Sequence, residues 1–182
     1  MLNVLQSLFR ASPLKTEAAA LYDAIGSQAR HPGFYTTLSV PDTLDGRFEL
    51  VVLHAAMVFH GIRRHGEAGR ALAQTTCDLM FKSFDTALRE LGVGDLSVPK
   101  RVKAMAGAYR GRMDVYEAAF RAEGDDALIE ALGRNVFRGR LEDPRPVTAL
   151  SAYVRQTLQN LEALPLSAYE TGNLSFGNVH VS

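Results

Sequence analysis

Five basic side chains lie within thirteen residues that contain no acid, and they are the residues of this chain best suited to binding chemistry. They are Lys100, Arg101, Lys103, Arg110 and Arg112. Lysine and arginine at this density attract carboxylates and phosphates. On a helix, Lys100, Lys103 and Arg110 can share one face, whereas the other two point to another side. The group is therefore either a solvated helix face or a docking surface for an acidic partner, an RNA backbone or phospholipid headgroups.

Residue types that support catalysis or hold a metal are present, but their spacing does not suit either task. His54 and His60 are six residues apart, so they face different sides of a helix, whereas a helical metal pair needs i, i+4. Cys77, the single cysteine, falls in an apolar helical stripe and is interpreted as a core residue. The chain has no Gly-x-Ser-x-Gly elbow and no phosphate-binding glycine loop. The sequence therefore predicts no enzyme activity, no metal and no cofactor.

The composition is that of an ordinary globular domain. The 182 residues carry 20 acidic and 20 basic side chains, so bulk charge does not draw the chain to nucleic acid, and no DNA partner is expected. A single cysteine excludes an intrachain disulfide and suits a reducing compartment, which predicts a cytoplasmic location. Residues 1–13 lack the pattern of a secretory signal. They form a leader that either packs on the domain, frays, or makes a short interfacial helix.

The fold class follows from residues 50–62, LVVLHAAMVFHGI, which are apolar on nearly every side. A helix of this kind must be enclosed by protein or lipid, and this run is shorter than the roughly 20 residues that span a bilayer. Other helices must therefore surround it. Periodicity, caps and breakers predict those helices over residues 16–30, 67–91, 99–122, 126–138 and 147–164. We predict an all-α, single-domain helical bundle over residues 14–164, with about six helices around the central apolar helix.

Two segments at the edges of this pattern are harder to assign. Residues 34–40, FYTTLSV, resemble a strand in composition, but no second strand is available to pair with them. We expect an ordered loop or a helical turn there, with Phe34, Tyr35 and Leu38 pointing inward. Residues 165–182 mix Gly, Asn and Ser with single apolar residues, which predicts a flexible or loosely docked tail.

The turn before the central helix carries a recognisable motif. Residues 40–54 read VPDTLDGRFELVVLH, with HPGFY before them at 31–35 and GDDALIEALGRNVF after them at 124–137. This pattern resembles the ubiquinol-cytochrome c chaperone family over residues 15–140. The motif positions are Pro41, Asp42, Thr43, Asp45, Gly46, Phe48, Glu49 and His54. Because Asp42 or Thr43 can cap the helix that follows, we interpret the motif as structural rather than as a contact site.

The resemblance implies an all-helical, non-enzymatic assembly factor for the cytochrome bc1 complex, which is respiratory complex III. Mitochondrial members of the family act on newly made cytochrome b near the ribosome exit, together with a small partner protein. The resemblance therefore implies cytochrome b, or another bc1 subunit, as client of a short bacterial member. A small protein partner, a homodimer, and contact with the ribosome or with the inner face of the cytoplasmic membrane stay open.

The leading hypothesis from the sequence is a chaperone that shields an apolar client segment in a groove between helices while basic residues hold its flanks. The alternative, from a different class, is a helical RNA- or ribosome-binding module that uses the basic face of residues 100–112. A third hypothesis is an enzyme of unrecognised type. It would need a deep polar pocket with converging ionisable groups.

Overall fold

The computed structural model describes residues 12–139 and 142–179, and within them the backbone forms helices and no strand. The helices are α1 (Pro13–Ala29), α2 (Pro32–Thr36), α3 (Leu44–Ile62), α4 (Gly66–Glu90), α5 (Val98–Arg121), α6 (Asp126–Asn135), α7 (Arg145–Glu162) and α8 (Leu166–Glu170). The predicted all-α class is confirmed, and the six long helices lie where periodicity places them. The prediction of a leader rests mainly on residues 1–11, which are outside the described residues.

Helix α3 lies at the centre of the bundle. Every residue from Leu50 to Ile62 is buried except His60, which is partly exposed. Helices α1, α5 and α7 pack along α3, and α4 contacts it as well. An all-round apolar helix is stable in water only when protein covers each of its sides, and these four helices supply that cover.

The ends of α3 show how the sequence sets its boundaries. Thr43 is the N-cap, because its Oγ1 accepts a hydrogen bond from the Gly46 N–H at 3.1 Å. Asp42, the other candidate cap, instead accepts from the Arg47 Nε at 2.6 Å. After α3, a 3₁₀ turn at Arg63–His65 leads to Gly66, whose φ of +65° favours glycine. This helix end is where the sequence predicts it.

The strand-like segment 34–40 contains the short helix α2 and a turn. Phe34 and Leu38 are fully buried, as expected for a segment that tucks inward. The Tyr35 hydroxyl donates to the carbonyl of Ala29 at 2.9 Å and ties α2 to the end of α1. Aromatic and β-branched residues therefore serve packing here, not strand pairing.

Residues 165–179 pack against the bundle, which differs from the flexible or loosely docked tail that the sequence predicts. Tyr169 in α8 is fully buried, and its hydroxyl donates to the Leu161 carbonyl at 2.7 Å. Farther along, the Gly177 N–H donates to Thr157 Oγ1 at 3.0 Å. A polar segment can dock in this way because its backbone groups find partners on α7, which composition does not reveal.

Candidate functional site

A groove opens where α3 begins, between the end of α4 and the first half of α5. Its volume is about 380 Å³. It is lined by Leu44, Asp45, Phe48, Glu49, Leu88, Arg101, Ala104, Met105, Ala108, Arg112 and Arg138. We refer to it as the α3–α5 groove. Six of these side chains are apolar and five are charged, so the groove suits an apolar ligand that also carries a polar group.

In α5, the apolar side chains at the first residue, Val98, and towards the C-terminal end are buried, whereas those between them are partly exposed. Tyr116 and Phe120 belong to the core, whereas Met105, Tyr109 and Met113 are partly exposed. The first half of α5 therefore keeps apolar surface that the core does not use. Met105 contributes that surface to the groove, where a flexible thioether side chain adapts to ligands of different shape.

The family motif both shapes and lines the groove. At Gly46, an added Cβ would lie 2.0 Å from the Pro41 carbonyl oxygen, so a residue with a side chain would push the preceding turn away from α3. The first turns of α3 then place Asp45, Phe48 and Glu49 on the groove. Three motif side chains thus reach an open site, and the interpretation of the motif as structural stays a prediction.

The Glu49 carboxylate and the Arg112 guanidinium form a two-point ion pair between α3 and α5. The Arg112 Nη2 lies 2.8 Å from Glu49 Oε1, and its Nε lies 3.1 Å from Oε2. Glu49 is only 5% exposed, and its hydrogen bonds raise the pKa of Arg112 further. Arg112 was expected to contact a partner. Its guanidinium is already held by Glu49, and its contact with a partner stays a prediction.

A second ion pair in the groove joins Arg138 to Asp45. Arg138 follows α6 and has a φ of +56°, a left-handed conformation that is uncommon for a residue with a side chain. This backbone turn brings its guanidinium to the start of α3. Sequence reasoning missed Arg138. The signal that could have found it is its place directly after Phe137, where the downstream family block ends.

The structure divides the predicted basic set into two groups. Arg101 and Arg112 line the groove. Lys100, Lys103 and Arg110 are exposed, and none of the three pairs with an acid among the described residues. Their side chains are therefore exposed to solvent, and their contact with a partner stays a prediction.

The motif histidine lies in the core, away from the groove. His54 is fully buried, with Nδ1 2.7 Å from the Leu50 carbonyl and Nε2 2.8 Å from the Tyr153 hydroxyl. Gln28 donates to the same hydroxyl at 3.2 Å, and the ring of Phe176 lies 5.7 Å from the imidazole. His54 therefore links α1, α3, α7 and the C-terminal segment, which is a structural role.

We expect this histidine to make the stability depend on pH. Burial lowers the pKa of His54 from its ordinary 6.5 to about 4. The unfolded chain takes up a proton below pH 6.5, and the folded chain takes it up only near pH 4. Above pH 6.5 this group therefore does not reduce the free energy of unfolding, which then falls by about 3 kcal/mol as the pH drops to 4. Urea unfolding of wild type and His54→Gln across this range would show the steeper loss in wild type, and equal slopes would contradict it.

The other residues with chemical potential are engaged in packing. The Cys77 thiol lies 3.5 Å from the Tyr109 hydroxyl, and burial raises its pKa, which makes it a poor nucleophile. His60 Nδ1 lies 3.2 Å from Glu117 Oε2. In the described parts of the chain, no three His, Cys, Asp or Glu side chains are grouped to hold a metal ion. Among the helices of these described parts, none is long and apolar enough to cross a membrane.

The fold defines an all-helical protein, and the groove is an apolar cleft bordered by ion pairs. Comparison with protein families then identifies the family to which the chain belongs. The family model described as ubiquinol-cytochrome C chaperone matches residues 36–176, so the chain belongs to the ubiquinol-cytochrome c chaperone family. This confirms the resemblance seen in the sequence. The family consists of assembly chaperones and not of enzymes.

Three vertebrate relatives share the matched region. Ubiquinol-cytochrome c reductase complex assembly factor 1 from Mus musculus, Xenopus laevis and Homo sapiens is in each case 24% identical over 151 residues, or 83% of this chain. The match covers 51% of the mouse protein, 75% of the frog protein and 50% of the human protein. The chain thus spans about half the length of two of these relatives.

A solved structure is similar over nearly the whole chain. It is described as the Cbp3 homolog from Brucella abortus, and it shares 38% sequence identity with a TM-score of 0.82. The alignment covers 97% of each chain. The arrangement of helices around α3 is therefore shared with a bacterial relative.

Proposed function

We propose that this protein is a non-enzymatic chaperone that promotes assembly of the cytochrome bc1 complex and acts by binding alone. Its family membership and the names of its relatives support the assembly role. The observation that carries the proposal is the α3–α5 groove. There the family motif supplies Asp45, Phe48 and Glu49 to an open apolar cleft.

The proposed client is cytochrome b in its nascent or apo form. A membrane subunit that has not been assembled exposes apolar segments, and Leu44, Phe48 and Met105 offer them apolar surface in the groove. Leu44 is 48% exposed, so this surface is accessible. Arg101 has no acidic partner among the described residues and is placed to bind a carboxylate or a backbone carbonyl of the client.

Deletion of the gene tests the function directly. We expect the amount of assembled bc1 complex to fall while the transcripts of its subunits stay unchanged. Difference spectra of haem b and native gels would measure the complex. A normal amount of bc1 complex in the deletion strain would contradict the proposed function.

A variant that fills the groove tests the site. Ala104→Phe places a large ring in a groove of about 380 Å³, and we expect it to reduce rescue of the deletion strain at least about fivefold. Ala71→Phe is the matched control, because Ala71 is an exposed residue of α4 that does not line the groove. Full rescue by Ala104→Phe at a wild-type protein level would assign client binding to another surface.

The second candidate is a module that binds RNA or the ribosome, and one observation favours it. Lys100, Lys103 and Arg110 are exposed and make no ion pair with a described acid. This candidate predicts cosedimentation with ribosomes that weakens steeply with salt and is lost when the three residues are changed to Glu. A protein that stays out of ribosomal fractions at every salt concentration would contradict it.

A further inference from the structure

The connection between α4 and α5, which we call the tip, presents leucine side chains to water. The large apolar side chains that are exposed in the described residues are Leu44, Leu91 and Leu96. Two of them belong to this tip, where Leu91 is 64% exposed and Leu96 is 98% exposed. Burial of an apolar side chain is favourable, and these two leucines do not gain that free energy while they are exposed. Association with a surface that covers both side chains would therefore be favoured.

The tip is held in place by hydrogen bonds. At the end of α4, the Val93 N–H donates to the Leu88 carbonyl at 3.1 Å and the Gly92 N–H donates to the Arg89 carbonyl at 3.0 Å. Gly92 has a φ of +78°, and together these features form a Schellman motif. The Ser97 N–H then donates to the Gly94 carbonyl at 2.7 Å. This four-residue turn places Leu96 at its corner, from which the side chain points away from the protein.

Three cations lie on the first turns of α5, next to the tip. Lys100, Arg101 and Lys103 are exposed and lie within about 8 Å of the start of α5 along its axis. None of them pairs with an acid of the described chain.

Two of the three acids of the tip share one arginine. Asp85 and Asp95 both bind Arg89, with nitrogen–oxygen distances of 2.7 Å and 2.6 Å. Glu90 is exposed and makes no ion pair with the described residues. The tip therefore carries four cations and three acids, a net charge of +1, and its three cations without acidic partners lie on α5, close to two exposed leucines.

We propose that the α4–α5 tip docks on the surface of a bilayer that contains anionic lipids. Leu91 and Leu96 enter the interfacial region, while Lys100, Arg101 and Lys103 bind headgroup phosphates. Exposed leucines next to cations that have no described acidic partner match the interfacial and headgroup regions of an anionic bilayer. In this arrangement the groove opens next to the membrane, and Arg101 contributes to both surfaces.

Vesicle cosedimentation of the full chain tests the proposal. We expect binding to phosphatidylcholine vesicles that contain phosphatidylglycerol, and little binding to pure phosphatidylcholine. The double variant Lys100→Glu/Lys103→Glu should weaken binding more than about tenfold, since each basic residue near an anionic surface contributes about 1 kcal/mol. Leu91→Ser/Leu96→Ser should weaken it about tenfold at unchanged charge.

Arg110→Glu is the matched control for charge. Arg110 is exposed on the same helix but lies about 18 Å from its start, beyond the screening length of about 8 Å at physiological salt. We expect the affinity of Arg110→Glu for anionic vesicles to differ from that of wild type by less than about twofold. Unchanged thermal unfolding of all the variants would show that the fold is retained, as their exposed positions predict.

Three results would overturn the proposal. The first is a failure of wild type to bind anionic vesicles. The second is wild-type binding by the leucine double variant, which would place the contact elsewhere in the chain. The third is an equal loss of vesicle binding in Arg110→Glu and in the lysine double variant. That loss, accompanied by cosedimentation with ribosomes, would assign the cations to RNA.

Discussion

Leu53→Asp is expected to leave the chain without a stable fold. Leu53 is fully buried in α3, and the helices that enclose it provide no water and no partner for a carboxylate. The loss of burial and the unpaired charge together cost about 5 kcal/mol or more. A domain of this kind has a total stability of about 5–15 kcal/mol, so most of it is removed. Circular dichroism and soluble yield would show the loss of helix and of cooperative unfolding.

Leu53→Met separates the effect of charge from that of shape. This replacement conserves volume and apolarity, and we expect a loss below about 1.5 kcal/mol with an intact cooperative transition. A Leu53→Asp protein that unfolds at a temperature near that of wild type would show that α3 is not enclosed as described.

Arg112→Ala should be the second most damaging of the changes considered, although Arg112 lies at the edge of an open groove. Its removal leaves the Glu49 carboxylate, which is 5% exposed, without the two hydrogen bonds at 2.8 Å and 3.1 Å that compensate it. Breaking one side of such a buried pair costs about 3–5 kcal/mol. Because the Arg112 side chain is 29% exposed, solvent lowers the effect, and the lower end of that range is expected. Urea unfolding measures it.

The same helix provides a control in which another arginine is replaced. Arg110→Ala removes an exposed arginine that has no described ion pair, and we expect a change within about 0.5 kcal/mol. Adding Glu49→Gln to Arg112→Ala should recover part of the lost stability, because the buried charge is then gone. Equal stability of the two single arginine variants would mean that the Glu49–Arg112 pair does not hold α3 and α5 together.

The central helix could be predicted from the sequence because its signal is local. Residues 50–62 have no polar face, and that property alone requires other helices around them. The cap at Thr43 and the glycine at Gly66 are equally local features. The periodicity of the other long helices placed their boundaries within a few residues of those observed.

The groove could be predicted only in part, because it depends on contacts between distant residues. The sequence indicated a family motif at the start of α3 and a basic segment in α5 as two separate sets. Glu49 and Arg112 are 63 residues apart, and Asp45 and Arg138 are 93 residues apart. Propensity and periodicity carry no information about such pairs. The left-handed backbone at Arg138 is likewise set by tertiary contacts and not by the residue type.

The C-terminal segment shows a different limit of sequence reasoning. Its composition is that of a mobile chain, yet Tyr169 is fully buried and the Gly177 N–H is bonded to Thr157. One aromatic side chain and a few backbone hydrogen bonds are enough to dock it on helices that already exist. Composition averages over those few positions and hides them.

The contact between His54 and Phe176 has a consequence for how the polypeptide matures during translation. The imidazole and the aromatic ring are 5.7 Å apart in space but are made 122 codons apart. Protein synthesis proceeds from the N-terminus at about 5–20 residues per second, so early helices emerge several seconds before the ring that finishes their enclosure. Until residue 176 has emerged from the ribosome, the His54 imidazole therefore lacks one of the aromatic contacts that it has in the folded protein.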